Sequence, residues 1–141
     1  MSGVIGVAAL TAALALTSPA FAAGHAMPAR YTCDGADVSP PLRWTAPPRG
    51  SRSLVLRLVD LDTSPRFLHW YVTSIPPRLR AIRAGAHVGR AHPNDFGRAG
   101  FGGPCPPSGQ KHRYVFQLLA LNARGRVLAR GRLEGTYRRR G

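Results

Sequence analysis

A mainly β, antiparallel sandwich is the fold that this 141-residue chain predicts, and three observations predict it. Glycine and proline are abundant, at 16 and 13 residues, and both interrupt helices. Hydrophobic residues make up 44% of the chain, which is too many for a disordered polyelectrolyte. Apolar residues recur with a period of two, in short runs bounded by turn residues, which is the signature of half-buried strands. The length suits one domain. No heptad pattern, internal repeat or helix of ordinary length stands out.

The N-terminus is read first. Residues 1–23 carry no charged side chain, and Gly3 to Leu16 is an apolar run. Ser18-Pro19 breaks that run, and Ala20-Phe21-Ala22 follows as a small-x-small site. This pattern predicts a signal peptide over residues 1–22, cleaved after Ala22, with a domain over 23–141 and export to the periplasm or the medium. The run is too short to span a bilayer, which needs roughly 20 apolar residues. Cys33 and Cys105 are the two cysteines. In an exported chain they predict a disulfide, worth roughly 4 kcal/mol by loop entropy.

The strands follow in order. Residues 24–53 are turn-rich, with Ser39-Pro40-Pro41 and Pro47-Pro48-Arg49-Gly50. Ser53 to Asp60 reads as a strand whose Leu54, Leu56 and Leu58 share a face, with Asp60 on that same face at its end. Leu68 to Ile75 is a second strand, rich in aromatic and β-branched residues. Residues 78–110 form a long Gly- and Pro-containing segment, and such loops are commonly functional or disordered. Arg113 to Leu121 is the third strong strand. Arg126 to Tyr137 alternates weakly and can add a last one.

Chemistry gathers at strand ends. Asp60 and Asp62 leave the first strand, His69-Trp70 enters the second, and His112-Arg113-Tyr114 enters the third. If these strands are neighbours, two carboxylates, two imidazoles and a phenol converge. Asp60, Asp62, His69 and His112 would then be mixed oxygen and nitrogen metal ligands, though their spacing matches no standard zinc pattern. Cys105 with His112 would be a hydrolase pair, without the usual nucleophile context and at odds with a disulfide. The residues could equally be ordinary turn and strand-end groups.

Charge separates function classes less than its size suggests. Lys and Arg total 20 against 6 Asp and Glu, a net charge of +14, and Lys111 is the single lysine. Such a field attracts polyanions. The arginines are nevertheless dispersed along the chain, and no RNA-binding aromatic motif or DNA-reading helix accompanies them. No specific nucleic-acid partner is expected, and anionic membrane contact is expected to be weak.

Several motifs, taken in order, resemble one known family. Tyr31-Thr32-Cys33-Asp34-Gly35, Ser39-Pro40-Pro41-Leu42 and Trp44 resemble the opening of bacterial phosphatidylethanolamine-binding-protein (PEBP) relatives, also called Raf-kinase-inhibitor-like proteins. Asp60-x-Asp62-x-x-Pro65 and His69-Trp70 resemble the family's first signature. Asn94-Asp95-Phe96-Gly97, Gly100 to Pro107 and His112 to Phe116 resemble its second, and Gly135-Thr136-Tyr137 its last strand. The likeness runs from about Met27 to Arg138. It implies a Greek-key β-sandwich with a small anion-binding pocket at one end. Asp60, His69, His112 and Tyr114 would line the pocket, with Pro65 and the Gly102-Gly103-Pro104 backbone at its rim. Asp62 would hold the pocket loop, with Arg113 as a carboxylate partner. Three departures accompany the likeness. Leu61 and Thr63-Ser64 alter the first signature. The family's N-terminal strand region is nearly absent before Met27. The helix that most bacterial relatives place between the third strong strand and the last one is missing, because Asn122-Ala123-Arg124-Gly125 runs directly into Val127.

The function these features imply is a non-catalytic, exported protein that binds a small anionic or phosphorylated ligand, without cofactor or metal. The alternative is a secreted protein-interaction module, an inhibitor or regulator of a protease- or kinase-like partner.

Overall fold

The computed structural model describes residues 12–141. Eight strands order the chain: β1 (Ala12–Leu14), β2 (Leu42–Arg43), β3 (Ser53–Asp60), β4 (Phe67–Ile75), β5 (Ala81–Ile82), β6 (Arg90–Ala91), β7 (Lys111–Leu121) and β8 (Val127–Arg138). Six of them form one sheet in the order β1-β8-β7-β3-β4-β6, and β2 pairs with β5 in a small second sheet. Every pairing is antiparallel except β1 with β8. The β-sandwich expectation is met by two very unequal layers. The segment after β4 crosses over so that β7 lies on the far side of β3.

Period-two sequence becomes aligned rows across the large sheet. Leu54 pairs with Ala120 and Ala120 with Ala129; Leu56 pairs with Leu118 and Leu118 with Gly131; Leu58 pairs with Phe116 and Phe116 with Leu133. On the other side of β3, Leu58 faces Trp70 and Leu56 faces Val72. All of these side chains point to one buried face, because residues i and i+2 of a strand share a face. The second layer closes over them with Leu42, Trp44 and Ile82 from the small sheet, and with Phe21, Met27 and Tyr31 from the irregular N-terminal stretch.

The expected lack of a helix between the last two strands also holds. β7 and β8 form a tight hairpin at Asn122–Arg126. The Asn122 side chain accepts the N–H groups of Arg124 and Arg126, both at 2.9 Å, and Gly125 supplies the positive φ of +77° that the turn requires. Among the described residues there is no α-helix, only a 3₁₀ turn at Ala29–Tyr31. The Cys33–Cys105 disulfide ties that turn to the long loop after β6, with 5.4 Å between the Cα atoms.

The segment before Met27 corrects the sequence reading. A strand region is present there, not nearly absent, and the boundary after Ala22 falls inside the folded layer. β1 pairs in parallel with Ala129–Gly131. Thr17 and Arg43 exchange backbone hydrogen bonds of 2.9 and 2.8 Å, and the Ser18 hydroxyl donates to the Pro41 carbonyl at 2.6 Å. Leu14, Leu16 and Phe21 are buried in the core. Two glycines of β8 are shaped around this segment. A Cβ on Gly131 would lie 2.8 Å from the Leu14 carbonyl, and one on Gly135 would lie 2.9 Å from the Phe21 ring. An apolar run ending in Ala-x-Ala is chemically the same whether it is a leader or an edge strand. Only tertiary pairing separates the two.

Deleting residues 1–22 is therefore expected to cost about 5 kcal/mol or more, since each buried Leu or Phe contributes about 1.5–3 kcal/mol. Chemical denaturation of the deletion beside the full chain measures this, and an unchanged midpoint would refute it. Reducing the disulfide should cost about 4 kcal/mol, given the 72-residue separation it closes, and should lower the melting temperature in the same assay.

Candidate functional site

The inward face of the large sheet turns polar at one end. The row after Leu58–Phe116–Leu133 is Asp60–Tyr114–Gly135, and the next pair is His112–Tyr137. Strand periodicity thus carries Asp60, Tyr114 and His112 to the core side, and β4 brings His69 alongside. Asp60, His69 and His112 are all buried.

These three line a cavity of about 130 Å³ with Thr63, Phe67, Phe96, Cys105, Pro106 and Pro107. The Asp60 carboxylate accepts from His112 Nδ1 at 2.7 Å and from the Asp62 backbone N–H at 2.8 Å. Asp60 is thus an orienting group: it holds the proton on Nδ1 and turns Nε2 of His112 toward the Gln110 side chain. That nitrogen lies 3.2 Å from the Gln110 side-chain oxygen, an amide that can turn either a donor or an acceptor toward it. His69 Nδ1 lies 2.8 Å from the Gly102 carbonyl, so Nδ1 carries the proton and Nε2 is free to accept. Burial lowers the His69 pKa, against the opposing pull of the Gly102 hydrogen bond and the Asp60 charge. The ring is therefore neutral near pH 7. Tyr114 lies fully buried behind this group. Its hydroxyl has no hydrogen-bond partner, and its pKa is raised by burial first and by the Asp60 charge second. It stays a neutral phenol with a spare donor.

The remaining sequence candidates support the site from outside. Asp62 is held by Arg113: the backbone N–H donates at 2.7 Å and the guanidinium at 2.8 Å. This places the loop that follows β3. Pro65 sits in that loop but does not line the cavity. The Gly102-Gly103-Pro104 backbone, expected at the rim, does not line the cavity either. Gly102 N–H donates to the His69 carbonyl at 3.0 Å, and Gly103 N–H donates to Asp37 at 2.7 Å. Pro104 accepts from Cys33 N–H. Glycine is needed at 102 for space instead, since a Cβ there would lie 2.5 Å from the Phe96 ring.

Residues that sequence reasoning passed over build the walls. Phe67, Phe96 and His69 form an aromatic cluster with ring centroids 4.8–5.3 Å apart. Phe96 is 45% exposed and is the one exposed large apolar side chain among the described residues. It is set in place by its neighbours. Asn94 accepts the Phe96 N–H at 2.9 Å, and Asp95 exchanges hydrogen bonds with Leu68 on β4. The Asn94-Asp95-Phe96 motif was the available signal; what hid it was its place in a long loop. Among the described residues no group of three or more His, Cys, Asp or Glu converges in a metal-binding arrangement. A second cavity, about 320 Å³, lies beyond the same loop against Trp70, Val72 and Phe101, and contains none of the sequence candidates. Size alone favours it, but the buried titratable groups are in the smaller one.

Arg113 holds the Asp62 carboxyl down at about 2, below the usual value near 3.9. Its side chain hydrogen bond is the main cause. A depressed carboxyl stabilises the fold above its unfolded pKa and loses that contribution as pH falls toward 2. The pair is largely exposed, so the effect is under about 1 kcal/mol. NMR titration should place Asp62 near 2, and Arg113→Ala should return it to the ordinary carboxylate range.

Comparison with known proteins agrees with the geometry. The family model described as "Phosphatidylethanolamine-binding protein" matches residues 17–138, a span that includes part of the N-terminal segment packed in the core. A UPF0098 protein of Aquifex aeolicus is 36% identical over 86% of each chain. A Mycobacterium tuberculosis protein named as lipoprotein LppC is 40% identical, over 77% of this chain and 55% of that one. The crystal structure of the PEBP homolog CT736 from Chlamydia trachomatis superposes with a TM-score of 0.81 and 34% identity, over 89% of this chain and 97% of that chain. Escherichia coli YbcL superposes with a TM-score of 0.79 and 27% identity, over 89% and 98%. With its sandwich, its strand-end acid and histidines, and a family match over most of its length, this chain belongs to the phosphatidylethanolamine-binding protein family.

Proposed function

We propose that the protein is a non-catalytic binding protein for a small phosphorylated or otherwise anionic group, held at the Asp60–His69–His112 end of the sandwich. The observation that carries this reading is the buried Asp60–His112 pair at the floor of a small aromatic-walled cavity. Each Asp60 oxygen accepts one hydrogen bond, from the Asp62 N–H and from His112, and the paired imidazole stands between its charge and an incoming anion. With Nδ1 committed to Asp60, His112 donates to a phosphate oxygen from Nε2 as the imidazolium, in which both ring nitrogens carry protons; Tyr114 lies behind the cavity and does not line it. Neutral His69 can accept from the hydroxyl of a phosphate monoanion or from an ammonium group. A zwitterionic headgroup such as phosphoethanolamine carries both kinds of charge and suits a mixed set of partners. The walls of Phe67, Phe96, Pro106 and Pro107 suit the hydrocarbon part of such a ligand.

Turnover has little support in this arrangement. Cys105 is consumed in the disulfide, and no hydroxyl nucleophile is hydrogen-bonded to either cavity histidine. Work in an oxidising, extracytoplasmic compartment is the localisation we propose, supported by the disulfide and by likeness to a protein named as a lipoprotein. Cleavage after Ala22 would take β1, Leu16 and Phe21 out of the core.

Thermal melts of the full chain with inorganic phosphate and with phosphoethanolamine test the proposal. Millimolar ligand should raise the melting temperature, and His69→Ala with His112→Ala should abolish the rise while leaving the unliganded protein folded. A flat response to both ligands in the parent protein would overturn the reading.

A further inference from the structure

We propose that the outer face of the six-stranded sheet, at the end closed by the β7–β8 turn, is a docking surface for an acidic amphipathic segment of a partner protein. Strand alternation defines this face. Leu54, Leu56, Leu118 and Ala120 point into the core, so Val55, Leu119 and Leu121 point the opposite way. Val55 pairs with Leu119 and Leu119 with Arg130; Ser53 pairs with Leu121 and Leu121 with Val127. Val55 is buried although it lies outside the core cluster, and Leu119, Leu121, Val127 and Leu128 around it are half-buried. They make an apolar strip across three strands, roughly 10 Å wide at the usual strand spacing.

Arginines border that strip. Arg57, Gln117 and Arg132 form the next outward row, beside exposed Arg130, while exposed Arg52 and Arg126 stand at the turn end. Arg57 is central, and its Nε is shielded from water without any hydrogen-bond partner. A buried, unpaired guanidinium nitrogen is costly, and a carboxylate brought to this face would engage the rest of that fork. Glu134 is the acidic residue on the outward face of these strands, Asp60 facing inward, and Arg132 already holds it at 3.1 Å.

Charge and shape choose the occupant. A second copy would bring the same arginines and its own +14. Residues 1–11 carry no charge and would leave the arginines unanswered. A bilayer is answered poorly because Val55 is buried and the other aliphatic side chains are half-buried, which leaves little apolar surface to insert. An incoming apolar ridge flanked by Asp or Glu satisfies both features, and arginine is among the residues enriched at protein interfaces. The surface is separate from the Asp60 cavity, so the proposal does not depend on anion binding there.

The test uses the full chain and a synthetic helix-forming peptide of about 18 residues, long enough to hold some helix, with leucines on one face and glutamates beside them. Fluorescence anisotropy should show binding, and Arg130→Glu should weaken it about tenfold or more. A matched peptide with lysine in place of glutamate should not bind. NMR shifts on binding should fall on Leu119, Leu121 and Val127. Equal binding of both peptides, no effect of Arg130→Glu, or binding to phosphatidylglycerol vesicles without binding to the acidic peptide would each overturn the proposal. The phosphate thermal shift should survive Arg130→Glu, which separates failure here from failure at the cavity.

Discussion

The register of β7 between β3 and β8 is the constraint on which the rest of this molecule depends. A slip of one residue would turn every side chain of β7 to the other face. Phe116 and Leu118 would leave the core, and His112 and Tyr114 would leave the site. The alignment that seats Leu56 beside Leu118 is the same alignment that seats Asp60 beside Tyr114 and within reach of His112. Packing energy therefore positions the polar end at no separate cost. The apolar rows supply most of the stabilisation, and the site is their continuation by one and two more steps along each strand.

Around that frame the loops do the finer placement. Asp62 and Arg113 fix the loop after β3, Asn94 and Asp95 fix the loop that carries Phe96, and Cys33–Cys105 fixes the segment that closes the cavity. None of these anchors lends its polar groups to the cavity interior. Gly102 and Gly103 show the same division of labour: their N–H groups hold neighbouring backbone and side chain, and their missing Cβ atoms let Phe96 and the Tyr31–Thr32 backbone approach closely. The site is thus supported by a shell of committed hydrogen bonds, which leaves His69 Nε2 as its free nitrogen and His112 Nε2 held only by the Gln110 amide.

The strong charge of the chain divides in a similar way. Along the sequence the arginines look dispersed. In the fold, alternation sends Arg57, Arg130 and Arg132 to the outer side of one sheet, in rows beside Val55 and Leu119, with Arg130 and Arg132 exposed. Arg113 works locally by holding Asp62, and Arg139 lies beside Asp34 near the disulfide. One composition therefore serves structural pairing at some positions and an open cationic surface at others.

Much of this was legible in the residues. The alternation in Ser53–Asp60 and Lys111–Leu121, with the aromatic run of Phe67–Ile75, determined three central strands and their inward faces, because period two is a local property of backbone geometry. Asp60, His69 and His112 could be singled out for the same reason, as polar residues that end apolar rows. What required tertiary structure were features that depend on non-local pairing. The two-residue strands β2, β5 and β6 have too little sequence to show a period. The donors of Gly102 and Gly103 were spent on partners distant in the chain. The apolar stretch through Leu14, Leu16 and Phe21 carried no local mark to tell an edge strand from a leader. Only the parallel pairing of Ala12–Leu14 with β8, and the room left by Gly131 and Gly135, decided that it belongs to the core.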